Sequence, residues 1–254
     1  MENHFEEMFG PIVGHGAQAT VYAKGDYAVK LYREGYPKRN VFSEAYIMIN
    51  LEEEHFPSPK VYEVLHVGNR YGLRMDCVKG TLMQDILAGE AGNFAAFEKS
   101  MNELVDLQWR LQKQGKVGGW APDIKYRFRD DLLRNERLTD EQRQTLLATL
   151  DALPDGDSLC HCDFHAGNVF FDGTDYTIID LLQMSKGDPA ADAICTYAAY
   201  TMGGSGIAEY YLERYCEVSG ISKEDVLRWL PVYAGTLLGQ VPEEVTPIIE
   251  GFLA

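Results

Sequence analysis

The chain lacks paired cysteines, long apolar runs and a surplus of basic charge, and each absence removes a class of protein. Its five cysteines, Cys77, Cys160, Cys162, Cys195 and Cys216, form an odd set without a C-x-x-C pair. This argues against a disulfide framework or a zinc finger and fits a reducing compartment. No apolar stretch approaches the roughly 20 residues of a membrane span. The start, Met1-Glu2-Asn3-His4-Phe5-Glu6-Glu7, lacks the basic residues and apolar run of a signal peptide. The expected location is the cytoplasm. A net charge of −16 is the wrong sign for a phosphate backbone or an anionic lipid, so neither nucleic acid nor membrane is an expected partner. That charge permits a cationic substrate, although it also serves solubility. No G-x-x-x-x-G-K-[ST] run is present, which excludes a P-loop. With no repeat, low-complexity tract or long Pro/Gly/Ser linker, the chain should be compact throughout.

What is there is a change of period along the chain. At 254 residues, 46% of them hydrophobic, it can bury a core without staples. Residues 11–13, 20–24, 26–32, 61–67 and 71–77 read as strands, with hairpin turns at Gly25-Asp26 and Gly68-Asn69. One helix interrupts them at about 39–53, with Phe42, Ala45 and Ile49 on its apolar side. After Gly80 the period becomes helical, beginning with Thr81-Leu82-Met83-Gln84, which has capping-box spacing. A long amphipathic helix over 93–114 repeats Phe97, Met101, Leu104, Leu107 and Leu111. Thr139 and Ser222 open further helices, and 168–171 and 176–179 return to strand. The expected fold is α+β and bilobal: a small antiparallel-sheet lobe with one helix over residues 1–78 and a larger, mostly helical lobe over 79–254. A connector near Met75 to Gly80 joins them.

Several residue types stand where phosphoryl transfer needs them. Gly14-His15-Gly16-Ala17-Gln18-Ala19 lies between two strands with no following helix, which favours a phosphate-covering hairpin over a dinucleotide-binding turn. Lys30 interrupts an apolar strand. Its ammonium either snorkels to water or, beside a phosphate cradle, holds a nucleotide's phosphates against a helical carboxylate, for which Glu44 is the best candidate. His161-Cys162-Asp163-Phe164-His165-Ala166-Gly167-Asn168 reads as a loop. There Asp163 can orient an attacking hydroxyl, Asn168 can offer magnesium a neutral oxygen, and Asp180, closing the next apolar strand, can offer an anionic one. Cys160, His161, Cys162 and His165 allow a rival zinc reading, but alternation of side chains in an extended segment keeps His161 off the face of the two cysteines. Asp188 precedes Pro189 as a helix N-cap, and Asp192 sits one turn inside a helix that looks buried, where it needs hydrogen bonds. Glu209, Glu213 and Glu217 recur on one helix face, which could attract an amine or simply be solvated. Trp109, Trp120 and Trp229 read as core rather than as an aromatic cage.

In this order, from Gly14 to Asp192, the residues resemble the aminoglycoside phosphotransferase and choline kinase family, the small-molecule branch of the protein-kinase-like fold. The resemblance rests on His161-x-Asp163-x-His165-x-Gly167-Asn168, then Ile178-Ile179-Asp180, then Gly187-Asp188-Pro189-x-x-Asp192. It implies Asp163 as catalytic base, Asn168 and Asp180 as magnesium ligands, and Lys30 with Glu44 as the phosphate-positioning pair. It also implies Gly14 and Gly16 over the phosphates, main-chain groups of Asp76 and Val78 on the nucleobase, and His161, Asp188 and Asp192 as structural support. The cofactors would be ATP or GTP and Mg2+. The chain departs from the family pattern in three places: Cys162 stands where glycine is usual, Ala19 replaces a glycine of the phosphate loop, and the pair Leu181-Leu182 follows Asp180.

Only six residues separate Asp180 from Gly187, too few for the segment that presents a peptide to a protein kinase. A small-molecule hydroxyl is therefore the expected acceptor, on an aminoglycoside or other amine-bearing compound, with choline, ethanolamine or a sugar as alternatives. A nucleotide-binding module without transfer activity and a compact atypical protein kinase are the competing classes. The oligomeric state is left open.

Overall fold

The structure, a computed structural model, describes residues 2–114, 117–204 and 206–253. Its first elements are α1 (Glu2–Phe9), β1 (Ile12–His15), β2 (Ala19–Lys24), β3 (Tyr27–Tyr32), α2 (Lys38–Glu53), β4 (Val61–Val67), β5 (Arg70–Asp76) and β6 (Thr81–Leu82). Then come α3 (Met83–Gly89), α4 (Phe94–Gln112), α5 (Ile124–Arg134), α6 (Asp140–Ala152), β7 (Ser158–Cys160), β8 (Val169–Phe171), β9 (Tyr176–Ile178) and β10 (Ser185–Gly187). The chain ends in α7 (Pro189–Met202), α8 (Ala208–Ser219), α9 (Lys223–Leu227), α10 (Leu230–Leu237) and α11 (Thr246–Phe252). Two compact units result: Met1–Asp85 with Gly167–Leu182, and Ile86–Ala166 with Gln183–Ala254.

The first unit is built on an antiparallel sheet in the order β1-β2-β3-β5-β4. Alternation along β3 sends Val29 and Leu31 to one face, where with Tyr22 they pack against Phe5, Phe9, Ile12 and Leu65. Ala28, Lys30 and Tyr32 face the other way, and this is how a lysine comes to lie in an otherwise apolar strand. A second sheet, β6-β8-β9, pairs Leu82 with Phe170 and Val169 with Ile178. Gly80 permits this pairing, because its φ is +90° or more at +111° and an added Cβ would fall 2.4 Å from the Phe171 carbonyl oxygen.

Two expectations need correction here. Thr81 does not cap a helix: Thr81 and Leu82 pair with β8, and α3 starts only at Met83, so strand pairing overrides a local capping signal. The apolar side of α2 is also turned from the expected one. Ala45 is buried with Val41, Ile47, Met48 and Leu51, but Phe42 and Ile49 are 48% and 49% exposed, and the buried side includes Glu44. With apolar residues on both sides of the helix, the period alone does not choose, and the contact of Glu44 with Lys30 goes with the face that carries it inward.

The second unit is helical. α7 is buried nearly all round, as an apolar helix without a polar face must be. α10 approaches α5 and α6 so closely that a Cβ on Gly235 would lie 2.5 Å from Leu146 and 2.8 Å from Leu132. Thr139 closes a complete capping box with Gln142, Asn93 accepts from Ala96 N–H, and Ser222 accepts from Asp225 N–H. The antiparallel pair β7 and β10 was not expected from the sequence, being too short to show a period. Trp229 is fully buried. No helix among the described residues is long and apolar enough to cross a membrane.

Candidate active site

Within the first unit lies a cavity of about 410 Å³, in the roughly 300–1,000 Å³ range of small-molecule sites. Gly14, Gly16, Lys30, Glu44, Asp76, Val78, Asn168 and Asp180 all line it. They arrive from β1 and the β1–β2 loop, from β3, from α2, from the end of β5 and the residues just after it, and from the two ends of the β8–β9 hairpin. Ile179 N–H donates to Asn168 O at 2.9 Å, and this sets the two hairpin ends side by side.

Lys30 organises the cavity. Its Nζ donates to Glu44 Oε1 at 2.7 Å and to Asp180 Oδ1 at 3.1 Å. Burial by itself would lower the Lys30 pKa, but the charges and hydrogen bonds of Glu44 and Asp180 outweigh it and push the value up, so the ammonium stays protonated. The second oxygen of Glu44 accepts a hydrogen bond from Tyr32 OH. Burial first, and then the Glu44 charge, push the Tyr32 phenol up and keep it a donor. Asp180 holds a left-handed backbone at φ +61°, which costs a non-glycine residue roughly 1–2 kcal/mol and is the kind of strain found at functional sites. Asp76 ends β5 with its N–H on Lys60 O at 3.0 Å and its carboxylate accepting from Tyr62 OH and Lys60 N–H at 2.6 and 3.0 Å.

Neither Gly14 nor Gly16 is required by the fold itself. A Cβ would meet only Val21 at 3.8 Å from Gly14 and only Ala19 O at 3.6 Å from Gly16, both ordinary contacts. Their missing side chains leave room in the cavity rather than relieving the chain.

In the second unit, Asp163, His161, Asp188 and Asp192 surround the loop after β7. The Asp163 side chain is 38% exposed, with Oδ1 3.5 Å from His165 Nε2. His161 is buried edge-on against Phe164, with ring centroids 5.9 Å apart. Asp192, 1% exposed, accepts from Cys162 N–H at 2.6 Å, from Gln108 Nε2 at 2.9 Å and from Gln112 Nε2 at 2.7 Å. The same two glutamines accept from Tyr211 OH and Tyr215 OH, each at 2.7 Å. Asp188 caps α7 through Ala190 N–H at 2.7 Å, while burial raises its pKa against that bond. Cys162 has φ +62°, a conformation that suits glycine. Burial pushes the Cys160 thiol up, which disfavours the thiolate that zinc requires. Among the described residues no group of three or more His, Cys, Asp or Glu side chains could hold a metal ion.

Sequence reasoning missed Tyr32, Tyr36, Gln108 and Gln112. The glutamines were detectable as two amides spaced i, i+4 beside Leu104, Leu107 and Leu111 of an otherwise apolar helix side. Glu209, by contrast, is engaged on the surface by Lys223 and Tyr197, as befits a solvated face.

An antiparallel five-stranded sheet with α2 packed on it and with the short α1, which the sequence had not suggested, also against it, followed by a mostly helical part, defines a kinase-like fold. A sequence model of the phosphotransferase enzyme family, abbreviated APH, matches residues 11–230, and the chain belongs to that family. Its members are kinases that use ATP. Solved structures share the fold at low identity. A choline kinase from Streptococcus pneumoniae is 12% identical, with 100% of this chain and 97% of that one covered and a TM-score of 0.66. A choline/ethanolamine kinase family protein from Mesorhizobium loti is 15% identical, with 96% and 87% covered and a TM-score of 0.64. An aminoglycoside phosphotransferase from Streptomyces rimosus, solved with ADP and streptomycin, is 19% identical, with 90% and 95% covered and a TM-score of 0.58. No curated protein matches the sequence significantly.

Proposed function

We propose that the protein transfers the γ-phosphate of ATP, or of GTP, to a hydroxyl of an amine-bearing small molecule such as an aminoglycoside. The observation that carries this reading is Lys30, held between Glu44 and Asp180 on the wall of a cavity that Gly14, Gly16 and Asn168 also line. A protonated lysine there answers the charge of nucleotide phosphates. The glycines leave space for those phosphates. The Asp76 amide is bonded to Lys60, so the base would meet the Asp76 carbonyl and the main chain of Val78.

Magnesium fits the donor set, because the Asn168 carboxamide and the Asp180 carboxylate offer hard oxygens on the same cavity wall as Lys30. When bound, the ion offsets phosphate charge and polarises the γ-phosphoryl group. Asp163, partly exposed, accepts the hydrogen bond of the acceptor hydroxyl and orients it for attack. Asp192 holds the loop through Cys162 N–H, Asp188 caps the following helix, and His161 packs beneath the loop. In this division of labour residues 1–78, with Asn168 and Asp180 of the β8–β9 hairpin, hold the nucleotide, and the rest of 79–254 supplies catalysis and the acceptor site. Five free cysteines agree with a reducing cytoplasm.

The segment from Asp180 to Gly187 holds only a turn of 3-10 helix, Leu181–Gln183, and β10, which favours a small acceptor over a peptide. Purified protein with MgATP should form ADP when offered a member of a panel of aminoglycosides, amino alcohols, nucleosides and sugars. A response to aminoglycosides supports the reading, and one confined to neutral sugars removes the preference for amines. Phosphate appearing only in protein would replace it with the protein-kinase class.

A further inference from the structure

The β1–β2 loop, which lines the cavity with Gly16 and Gln18, is closed at its base by the β1–β2 pairing and by Gly16 N–H donating to Ala19 O at 2.9 Å, and Gly16 has space for a Cβ. Gln18, at the far end of the loop, is held from the chain just after β3. Arg33 N–H donates to Gln18 O at 2.8 Å, and Tyr36 OH donates to Gln18 Oε1 at 2.7 Å. The Tyr36 ring lies flat on Tyr32, with centroids 4.6 Å apart and planes 13° from parallel. Tyr32 in turn donates to the Glu44 oxygen that Lys30 does not use. Gln18, Tyr36, Tyr32, Glu44 and Lys30 therefore form one connected series from the loop to the lysine.

Building on the nucleotide reading above, we propose that Tyr36 is a positioning residue: its hydroxyl tethers Gln18, and its stacking on Tyr32 sets the loop in register with the Lys30–Glu44 pair, so that loop and lysine meet the same phosphates. Tyr36 touches no reacting atom in this arrangement. It acts through Gln18 on one side and through Tyr32 on the other, and its effect should fall on the phosphates and not on the base.

Titration of the full-length protein with ATP, ADP and adenosine in the presence of Mg2+ tests this. Tyr36→Phe keeps the stacked ring and removes the hydroxyl. It should weaken ATP and ADP about five-fold, the size of one lost net hydrogen bond, and leave adenosine affinity unchanged. Gln18→Ala approaches the same bond from the loop and should give the same loss, and the double variant should be no worse than either single one. In turnover, KM for ATP should rise with kcat altered less than about two-fold. Equal weakening of adenosine, no weakening at all, or losses that multiply in the double variant would each overturn the tether. Wild-type protein that binds none of ATP, ADP, GTP and GDP would overturn the nucleotide reading itself, a result separable from all of these.

Discussion

Lys30 and Asp192 are each a charge set largely inside its own unit, yet they are satisfied in opposite ways. Lys30 is opposed by two carboxylates, one nearly buried at 4% and one half-exposed at 50%, and it borders a cavity. Asp192 is answered by three neutral donors, one backbone N–H and two carboxamides, which two tyrosines hold in turn. A cation whose partner is half in water can exchange that partner for a ligand's phosphate. A carboxylate sealed among fixed dipoles does not exchange, and it holds its surroundings in place. The first arrangement serves binding, and the second serves rigidity.

Substitutions can break or sharpen this contrast. The largest effect is expected at Asp163, beside the rigid network but not part of it: Asp163→Asn should lower turnover about 10³-fold, with ATP affinity by titration unchanged. Asp192→Ala strands both glutamine amides and the Cys162 N–H, and should lower stability to urea by about 3 kcal/mol. Glu44→Gln keeps an acceptor for Tyr32 but removes a charge from Lys30. It should reduce kcat/KM roughly 30-fold with a change in unfolding midpoint far smaller than that of Asp192→Ala. If Glu44→Gln destabilised as much as Asp192→Ala, the distinction between binding and rigidity would fail. The smallest effects belong to Cys162. Cys162→Gly, which relieves a left-handed residue while losing a small buried side chain, should shift stability by less than about 1 kcal/mol, whereas Cys162→Val should cost about 2 kcal/mol or more, read in the same urea titrations.

The strands of the first sheet were legible because runs of β-branched and aromatic residues meet at the Gly25-Asp26 and Gly68-Asn69 turns, and the chemistry-bearing residues because few residue types can meet phosphate and metal. Of their supports, the residues could be noticed, as with the two amides of α4, but their partners were not legible. Gln108 and Gln112 reach Asp192 across 84 and 80 positions, and Tyr211 and Tyr215 return to them across 103. No local period encodes such pairings. The inward face of α2 escaped notice because Phe42, Tyr46 and Ile49 form an exposed apolar stripe as regular as the buried one. At Cys162 the reverse held: a glycine expected from resemblance is absent, yet the backbone keeps the left-handed turn that glycine would favour.

The β8–β9 hairpin belongs to the first unit although it comes from far along the chain. Met1–Asp85 leaves the ribosome well before Gly167–Leu182, with 182 − 85 = 97 residues still to be made up to Leu182. At roughly 5–20 residues per second, the nascent sheet waits on the order of 5–20 s for the segment that brings Asn168 and Asp180. During synthesis Lys30 therefore has Glu44 as a partner before it can have Asp180, and the cavity becomes complete only after the Ile86–Ala166 part of the helical unit has been translated.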